Sequence, residues 1–496
     1  MSKALEASPR LLAAQADALV ARLPPLAGIT SDSRDAAQQI AFAAYPGATR
    51  DGRAFIGDAV ARGAAAVLFE ARGFDWDAGW RVPHVAVADL KARLGSIAAA
   101  VYGRPSEALC VIGVTGTNGK TSCSHWIAQA LTACGRRTAV MGTLGNGFAE
   151  ALLPSPNTTP DACRTQQSLA QWRREGAQAV AMEVSSHGLD QGRVNGVEFD
   201  VALFTNLTRD HLDYHGTMAA YGEAKARLLQ WPGLRTAVIN IGDPFGRELV
   251  RRARAGRRRF LTYGADGADI VATRVEVKPR GMTIDVTTPL GRGELEAPVA
   301  GAFNVQNLLG VLGVLLASDI VLDRALRALA HVTPPAGRME RFGGGADPVV
   351  IVDYAHSPDA LEQVLAALRP ALADGGRLIG VFGCGGDRDR GKRAQMGAVA
   401  GRLADRVIVT SDNPRSEDPR GIADDIVEGL QSQAAHWVIE LDRGRAIELA
   451  LAQARANDII VLAGKGHENY QEANGKRIPF SDARHVADAL ARRRGA

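Results

Sequence analysis

The stretch that decides the fold is Cys110-Val111-Ile112-Gly113-Val114-Thr115-Gly116-Thr117-Asn118-Gly119-Lys120-Thr121. An apolar run of strand length leads into a glycine-containing turn, and a helical segment continues from Ser122 to about Ala133. In such a unit backbone N–H groups approach a phosphate, the helix N-terminus favours the anion, Lys120 reaches the outer phosphates and Thr121 can ligate Mg²⁺. The stretch therefore predicts an α/β domain with a phosphate loop at residues 116–121.

This loop departs from the strict phosphate-binding pattern, which places four residues between its first glycine and Gly119-Lys120. Position 114 is Val, and Gly113 lies one residue too early. The Gly-x-x-Gly-Lys-Thr core and its strand-loop-helix setting remain, and they favour phosphate binding over a simple tight turn. The loop alone leaves a kinase, a motor ATPase and a ligase open.

Short Val/Ile-rich runs alternate with helical segments on both sides of a breaker-rich linker at residues 333–338. This rhythm predicts βαβ units and mostly parallel sheets. We expect strands at 111–114, 138–141, 179–183, 201–205 and 237–240 before the linker, and at 349–352, 378–382, 407–410, 437–441 and 459–462 after it. The alternating run at 282–286 predicts antiparallel strands added to the first sheet.

The length of 496 residues indicates about three domains. We expect an α/β protein with a small N-terminal α/β domain over 1–104, a central P-loop ATPase-like domain with a mostly parallel sheet over 105–338, and a C-terminal Rossmann-like domain over 339–496.

Composition excludes several classes of protein. A net charge of +4 gives no support to a nucleic-acid partner, and the arginine-dense stretch 251–259 indicates a solvated surface. Five scattered cysteines without a Cys-x-x-Cys pair fit a reducing compartment. The N-terminus lacks the order of a signal peptide, and no apolar run is long enough to span a membrane. We therefore expect a cytoplasmic protein without a membrane partner.

Acidic and histidine side chains follow two of the predicted strands. Glu183 ends one strand, and Asp210-His211 follows the next. Because the carboxyl ends of parallel strands meet at one edge, both groups should lie near the phosphate loop. Glu183 and His211 are then candidate Mg²⁺ ligands, although hard cations usually take oxygen. By spacing alone, Lys225 would be a surface lysine.

Five segments together resemble the Mur ligase family, which builds the peptide of the peptidoglycan precursor. They are residues 116–121, Asn157-Thr158-Thr159-Pro160, Glu183-Val184-Ser185-Ser186-His187, Asn206-Leu207-Thr208-Arg209-Asp210-His211-Leu212-Asp213 and Asp353-Tyr354-Ala355-His356. The resemblance covers nearly the whole chain. It implies an ATP-dependent ligase that adds meso-diaminopimelate to UDP-N-acetylmuramoyl-L-alanyl-D-glutamate through an acyl phosphate, with Mg²⁺ as cofactor and ATP as substrate.

The resemblance also implies roles for individual residues. The implied metal ligands are Thr121, Glu183, His211 and a carbamylated Lys225, and the implied catalytic residues are Lys120, Lys225, His211 and Glu183. The implied ATP-binding residues are Gly116, Thr117, Asn118, Gly119, Lys120, Thr121, Ser122, Asn304, Arg341 and His356. The implied contacts to the nucleotide-sugar peptide are Ser31, Ser33, Ala48, Thr49, Arg50, Asn157, Thr158, Thr159, Ser185, Gln191 and Arg193; the turn 48–50 departs from the commoner family residues.

Three loops after the C-terminal strands carry charged groups. Arg415 and Arg388 offer planar forks for a carboxylate, and Glu468 can accept from an ammonium. In the family, Asp-Asn-Pro-Arg marks diaminopimelate as substrate, whereas lysine-adding relatives lack the Arg. The implied diaminopimelate-binding residues are Arg388, Asp412, Asn413, Pro414, Arg415, Gly464 and Glu468. Arg390 fits a solvated rim.

Other functions remain open at this point: a lysine-adding homologue, a folylpolyglutamate synthase-like ligase, a P-loop ATPase without ligation, and a silent binding module. A catalytically silent binding module is disfavoured, because the Lys, Thr, Glu and His residues expected of an active enzyme are all present. The expected partners are three small molecules, namely ATP, the UDP-N-acetylmuramoyl dipeptide and meso-diaminopimelate, and we expect a monomer.

Overall fold

The structure is a computed structural model that describes residues 9–47, 50–254, 259–278, 281–299, 301–431, 433 and 435–495. Strands occupy all ten stretches predicted from the sequence, within about two residues at each end. The predicted α/β class with mostly parallel sheets is confirmed.

The N-terminal sheet has four parallel strands in sequential order. They are β1 (Gly28–Thr30), β2 (Ile40–Ala44), β3 (Ala66–Glu70) and β4 (His84–Val87), accompanied by α1 (Pro9–Val20), α2 (Ile56–Ala61) and α3 (Leu90–Val101). Their apolar side chains form one core with α1 and α3 and another with α2. Ala162 and Cys163, which begin a helix of the central domain, join the first of these cores and so pack the N-terminal and central domains together.

The central sheet has seven strands in the order β11-β10-β9-β5-β8-β6-β7, and only β7 runs antiparallel. Its strands are β5 (Cys110–Thr115), β6 (Thr138–Gly142), β7 (Gly145–Gly147), β8 (Ala179–Glu183), β9 (Val201–Phe204), β10 (Thr236–Asn240) and β11 (Arg259–Tyr263). Its helices are α4 (Lys120–Ala133), α5 (Ala162–Arg174), α6 (Ser186–Asp190), α7 (Leu212–His215), α8 (Met218–Leu229), α9 (Pro244–Arg254), α10 (Ala302–Ala317) and α11 (Leu322–Leu329).

Alternation along the central strands buries side chains on both faces of the sheet. Ile112 and Val114 pack with α4 and α10, whereas Val111 packs with α5 and α8 on the other face. With both faces covered, the polar residues after the strands collect at the carboxyl edge, where ligands bind in open α/β sheets.

The antiparallel strands near residue 284 are not added to the central sheet, so that prediction was wrong. They form a separate three-stranded sheet of β12 (Val271–Lys278), β13 (Gly281–Thr288) and β14 (Gly291–Ala297). Ile284, Val286 and Leu295 point into the core that contains α10 and α11. The sheet therefore covers helices rather than extending the strand ladder.

The C-terminal sheet has the order β15-β16-β20-β17-β18-β19, with β15 alone antiparallel. Its strands are β15 (Glu340–Gly343), β16 (Val349–Asp353), β17 (Leu378–Phe382), β18 (Arg406–Val409), β19 (His436–Ile439) and β20 (Ile459–Ala463), and a hairpin follows, β21 (Tyr470–Ala473) and β22 (Lys476–Pro479). Its helices are α12 (Pro358–Leu368), α13 (Gly391–Leu403), α14 (Pro419–Leu430), α15 (Arg443–Gln453) and α16 (Asp482–Gly495). The first three helices cover one face and the last two the other.

Among the described residues, no helix combines the length and apolar character that crossing a bilayer requires.

Candidate active site

The phosphate loop between β5 and α4 depends on two glycines. Gly116 has φ +148°, and a Cβ there would lie 1.8 Å from Thr205 Oγ1. Gly119 has φ +84°, and a Cβ there would lie 2.4 Å from Asn307 Oδ1. Neither position tolerates a side chain, because the backbone is left-handed and a Cβ would collide with the side chain of Thr205 or Asn307. The loop is thus shaped by close backbone packing.

Hydrogen bonds from the next strand hold this loop in place. Thr117 N donates to Asn206 O at 2.9 Å, and Asn118 N donates to Asn206 Oδ1 at 2.9 Å. Thr205 Oγ1 donates to Asn118 O at 2.6 Å. Thr205 and Asn206, which follow β9, therefore fix the conformation of the phosphate loop.

Two lysines, the half-buried Lys120 and the buried Lys225, share one acceptor, the carbonyl oxygen of Gly116. Lys120 Nζ donates to Gly116 O at 3.0 Å and to Thr117 O at 2.8 Å, and Lys225 Nζ donates to Gly116 O at 2.6 Å. Burial lowers the pKa of both lysines, and their mutual repulsion adds to the effect on Lys225, whose pKa falls well below its usual range. Lys225 is thus far from the exposed lysine that its helical spacing indicated.

Glu183 is a fully buried carboxylate at the end of β8. Its Oε2 accepts from Thr121 Oγ1 at 3.0 Å and from Thr143 Oγ1 at 3.0 Å, and its Oε1 accepts from Thr143 N at 2.9 Å. No lysine or arginine lies within salt-bridge distance of it in the part of the chain that the structure describes. Among the described residues, the hydrogen bonds to this carboxylate come from neutral donors.

His211 lies in a left-handed conformation, φ +51°, just before α7. Its Nε2 is 3.4 Å from Asp210 Oδ2, and its ring packs edge-on against that of His187 with centroids 4.9 Å apart. Burial lowers the pKa of His211 to about 4, with Asp210 opposing the shift. The imidazole is consequently neutral near pH 7, the form that can ligate a metal.

A cleft of about 750 Å³ opens above the loop. It is lined by most of the residues assigned to ATP and the metal: Thr117, Asn118, Gly119, Lys120, Thr121, Ser122, Asn304, His356, Glu183 and His211. Gly116, at the start of the loop, and Lys225, which is hydrogen-bonded to its carbonyl oxygen, do not line this cleft. Asn307 Nδ2 donates to Asn304 Oδ1 at 3.0 Å and so orients that side chain.

The structure does not bring Arg341 into this cleft. Arg341 is exposed on the edge strand β15, whereas Arg338 lines the cleft and its Nη2 donates to Thr121 Oγ1 at 3.2 Å. The Arg338 guanidinium also lies 4.5 Å from the centre of the Tyr354 ring. In the sequence Arg338 ends the predicted linker, and its position just before a strand that returns to the sheet edge was the signal that could have identified it.

Contacts cross from the C-terminal domain to the phosphate loop. Asn118 Nδ2 donates to Asp359 Oδ2 at 3.0 Å, and Arg209 Nη2 lies 3.4 Å from Asp389 Oδ2. Asp359 belongs to α12, so the helix that follows β16 reaches the loop directly.

A second cleft, of about 1140 Å³, lies between the N-terminal sheet and α5. Ser31, Ser33, Arg50 and Asn157 line it as expected. Ala48 and Thr49 lie outside the described residues. Arg34, Arg62 and Arg164 also line the cleft, which gives it a set of guanidinium groups suited to phosphates.

Four further residues assigned to the nucleotide-sugar peptide form one hydrogen-bonded cluster. Ser185 N donates to Thr159 Oγ1 at 3.0 Å, Arg193 Nη1 donates to Thr159 O at 2.8 Å, and Arg193 Nη2 donates to Gln191 Oε1 at 2.7 Å. Thr158, which directly precedes Thr159, lines the ATP cleft. The cluster therefore lies where the nucleotide-sugar cleft and the ATP cleft meet.

The third pocket, of about 330 Å³, lies between the C-terminal loops and residues 209–213. Its walls include most of the residues assigned to diaminopimelate, namely Arg388, Asp412, Asn413, Arg415, Gly464 and Glu468. Pro414 does not line it; its carbonyl instead accepts from Glu417 N in the turn that follows.

Arg415 is held by its neighbours on both sides. Its φ is +52°, its N donates to Glu472 O at 2.9 Å, and its O accepts from Asn474 N at 2.6 Å, so the β21–β22 hairpin fixes its backbone. Its Nη1 donates to Gly386 O at 2.7 Å. The loop that carries Gly386 and Arg388 therefore fixes the orientation of the Arg415 guanidinium group. This hairpin was not predicted from the sequence, because its short strands carry mostly polar residues.

Family models match along the chain: "Mur ligase family, catalytic domain" at residues 25–102, "Mur ligase middle domain" at 114–315 and "Mur ligase, glutamate ligase domain" at 337–466. The UDP-N-acetylmuramoyl-L-alanyl-D-glutamate–2,6-diaminopimelate ligase of Ralstonia nicotianae is 53% identical over 497 residues, covering 97% of this chain and 96% of its own. The ligase of the same name from Chromobacterium violaceum is 50% identical over 467 residues, covering 94% of each chain.

The chain belongs to the Mur ligase family.

As a Mur ligase it is an ATP-dependent enzyme that forms amide bonds. A solved structure of a UDP-N-acetylmuramoyl-L-alanyl-D-glutamate–2,6-diaminopimelate ligase is 38% identical, with a TM-score of 0.68, and covers 95% of this chain and 96% of its own. The folylpolyglutamate synthase of Mycobacterium tuberculosis is 20% identical with a TM-score of 0.62 and covers 74% of this chain, a likeness of fold alone. The three-domain Mur ligase architecture predicted from the sequence is confirmed.

Acidification should destabilise this Mur ligase through His125, which lies on α4. The residue is 5% exposed, its Nε2 has no hydrogen-bond partner among the residues that the structure describes, and burial, with Arg338 nearby, lowers its pKa from 6.5 to about 4. The folded protein binds fewer protons there than the unfolded chain, so the contribution is present above pH 6.5 and falls as the pH drops towards 4. We expect a loss of roughly 2 kcal/mol from this group between pH 7.5 and pH 5.

Thermal unfolding at both pH values measures this effect. In His125→Gln the drop in melting temperature between pH 7.5 and pH 5 should be smaller than in the wild type. His436→Gln, which replaces an exposed histidine on β19, is the matched control. Equal drops in the wild type and in His125→Gln would show that this histidine is not responsible.

Proposed function

We propose that this Mur ligase joins meso-diaminopimelate to the γ-carboxyl group of UDP-N-acetylmuramoyl-L-alanyl-D-glutamate, with release of ADP and phosphate. The relatives at about 50% identity carry this activity in their names. On this proposal residues 1–104 bind the nucleotide sugar, 105–338 bind ATP and 339–496 bind the amino acid, and the enzyme acts as a cytoplasmic monomer.

One observation carries the proposal: the three clefts adjoin one another in the order that the reaction requires. Asn157 lines the nucleotide-sugar cleft, and the next residue, Thr158, lines the ATP cleft. Asp210, His211 and His356 line both the ATP cleft and the third pocket. A carboxylate from one side and an amine from the other can therefore reach the terminal phosphate of ATP at the same place.

The reaction then follows from positioning and electrostatics. The D-glutamyl γ-carboxylate attacks the γ-phosphate, which forms an acyl phosphate and releases ADP. The amine of the amino acid attacks the acyl carbon, and phosphate leaves. Lys120 and the N-terminus of α4 offset the phosphate charge, while the separate clefts align the two substrates.

The residues present fit the Mg²⁺ ion that the family implies. Glu183 is a buried carboxylate without a cationic partner among the described residues, and the Thr121 hydroxyl is 3.0 Å from it. Thr121, Glu183 and His211 would hold the ion, which when bound would screen the charge of the phosphates.

Lys225 fits the carbamate that the family resemblance implies. A second cation beside Lys120, sharing Gly116 O, is unfavourable in a buried setting. Burial and the neighbouring Lys120 lower the pKa of Lys225 well below its usual range, which raises the proportion of the uncharged amine, the form that reacts with carbon dioxide. Carbamylation would replace a repelling cation with an anionic oxygen ligand.

A ligation assay on UDP-N-acetylmuramoyl-L-alanyl-D-glutamate tests the proposal. With ATP and Mg²⁺ present, meso-diaminopimelate should be added with a kcat/KM far above that of L-lysine, because Arg415 and Arg388 can bind the second carboxylate. A preference for lysine would overturn the substrate assignment. Phosphate release that is indifferent to any amino acid would instead indicate an ATPase without ligation.

A further inference from the structure

A buried cation, Lys465, lies behind the pocket that contains Arg388, Arg415 and Glu468. Its side chain has no exposed surface. Its Nζ is 3.0 Å from Glu468 Oε2, 3.2 Å from Asn413 Oδ1 and 3.4 Å from Asp412 Oδ1. Three acceptors match the three N–H donors of an ammonium group. Lys465 does not line the pocket, so any effect on substrate must pass through these neighbours.

We propose that Lys465 is a positioning residue for the amino-acid substrate, holding Glu468 and Asn413 in the arrangement that receives the substrate's distal ammonium group. This inference rests on the proposed function. Glu468 Oε2 accepts from both Lys465 Nζ and Asn413 Nδ2, the latter at 2.8 Å. The other oxygen, Oε1, has no hydrogen bond within the described part of the chain and is left for the substrate.

The charges around Lys465 support this role. Asp412 and Glu468 both approach it within 3.4 Å, and their side chains are only 11% and 18% exposed. Two carboxylates this close in a half-buried pocket repel each other. Lys465 offsets one of the two negative charges, so the group keeps a single net negative charge. That charge matches one ammonium group. Arg415, whose Nε is 3.8 Å from Glu472 Oε2, also lines the pocket and offers its guanidinium to the neighbouring carboxylate.

The backbone after β20 directs Lys465 inward. Gly464 and Gly466 on either side have φ of +108° and +51°, and Glu468 N donates to Lys465 O at 2.9 Å. A Cβ at Gly466 would lie 2.8 Å from Gly337 O and from Tyr354 Cβ. This tight turn places Lys465 and Glu468 on the same side of the loop, which a side chain at residue 466 would prevent.

Steady-state ligation kinetics of Lys465→Met test the inference. We expect the KM for meso-diaminopimelate to rise about 100-fold, since a charged partner of the binding group is lost, with the KM for ATP within about twofold of the wild type. If Lys465 acts through Glu468, the double variant with Glu468→Gln should lose much less than the product of the two single losses. A purely structural role would raise both KM values and give multiplicative losses.

A control variant and an alternative variant distinguish a positioning role of Lys465 from a structural one. Lys91→Met, at an exposed lysine on α3 of the N-terminal domain, should leave both KM values unchanged. If Lys465→Met does not fold, Lys465→Gln removes the charge but keeps an N–H donor, and the same two readouts apply. An unchanged KM for diaminopimelate, or parallel rises in both KM values, would overturn the inference. A wild-type enzyme that does not ligate diaminopimelate would instead overturn the proposed function.

Discussion

Lys225→Ala should lower kcat for ligation by about a thousandfold, because it removes the group that would become the anionic ligand beside the phosphate loop. Lys225 is buried on α8, and its Nζ lies 2.6 Å from Gly116 O, directly under that loop. The variant leaves a small space, so an added short carboxylate such as acetate should restore part of the activity by supplying the missing oxygen. Depletion of bicarbonate should lower the wild-type rate.

Lys91→Ala provides the control for this prediction, since Lys91 is exposed on helix α3 of the N-terminal domain. Its kcat should equal that of the wild type. A Lys225→Ala enzyme that keeps more than about a tenth of the activity would show that no carbamate is needed. A loss of activity that acetate leaves untouched, accompanied by a lower melting temperature, would assign Lys225 a structural role.

Arg415→Lys should raise the KM for meso-diaminopimelate by roughly 30- to 100-fold and leave the KM for ATP nearly unchanged. Lysine keeps the charge but loses the planar fork, and a hydrogen bond to a charged group contributes about 1.5–3 kcal/mol. In the protein, Nη1 of this arginine is already committed to Gly386 O at 2.7 Å. That bond orients the fork, and an ammonium group cannot satisfy Gly386 and bind a substrate carboxylate bidentately at once.

Arg390→Lys is the matched control, because Arg390 is 71% exposed and pairs with Asp425 rather than lining the third pocket. Both KM values of this variant should stay at wild-type levels. Initial-rate measurements with each substrate varied in turn separate the two effects. Equal increases in the KM for ATP and for the amino acid in Arg415→Lys would argue against recognition of the amino acid by this residue.

The residues at the carboxyl edges of the two large sheets could be predicted, because each position follows from the pattern of neighbouring residues along the chain. An apolar strand, a glycine turn and a helix occur in sequence around Lys120, and the same alternation places Glu183 at the end of one strand and Asp412 after another. Parallel strands bring such positions to one edge whatever lies between them. Residues 48 and 49 of the predicted nucleotide-sugar site lie outside the described residues and stay a prediction.

Other features could not be predicted, because they arise from packing between distant segments. The β12–β14 sheet packs against α10 and α11 instead of joining the central sheet, since its apolar face is buried by helices. Arg338, rather than Arg341, enters the ATP cleft, because the antiparallel strand β15 turns Arg341 to the exposed edge.

By itself the sequence determined the α/β class, the phosphate loop, the identity of the charged residues and the resemblance to Mur ligases, because each depends on neighbours along the chain. Tertiary structure alone decided that Lys225 lies buried under Gly116, that Lys465 holds Asp412 and Glu468, and that the β21–β22 hairpin holds Arg415. Burial and charge pairing at these sites depend on residues between three and about 110 positions apart. Periodicity along the chain reports which face of an element is apolar, but not which distant group a buried charge will meet.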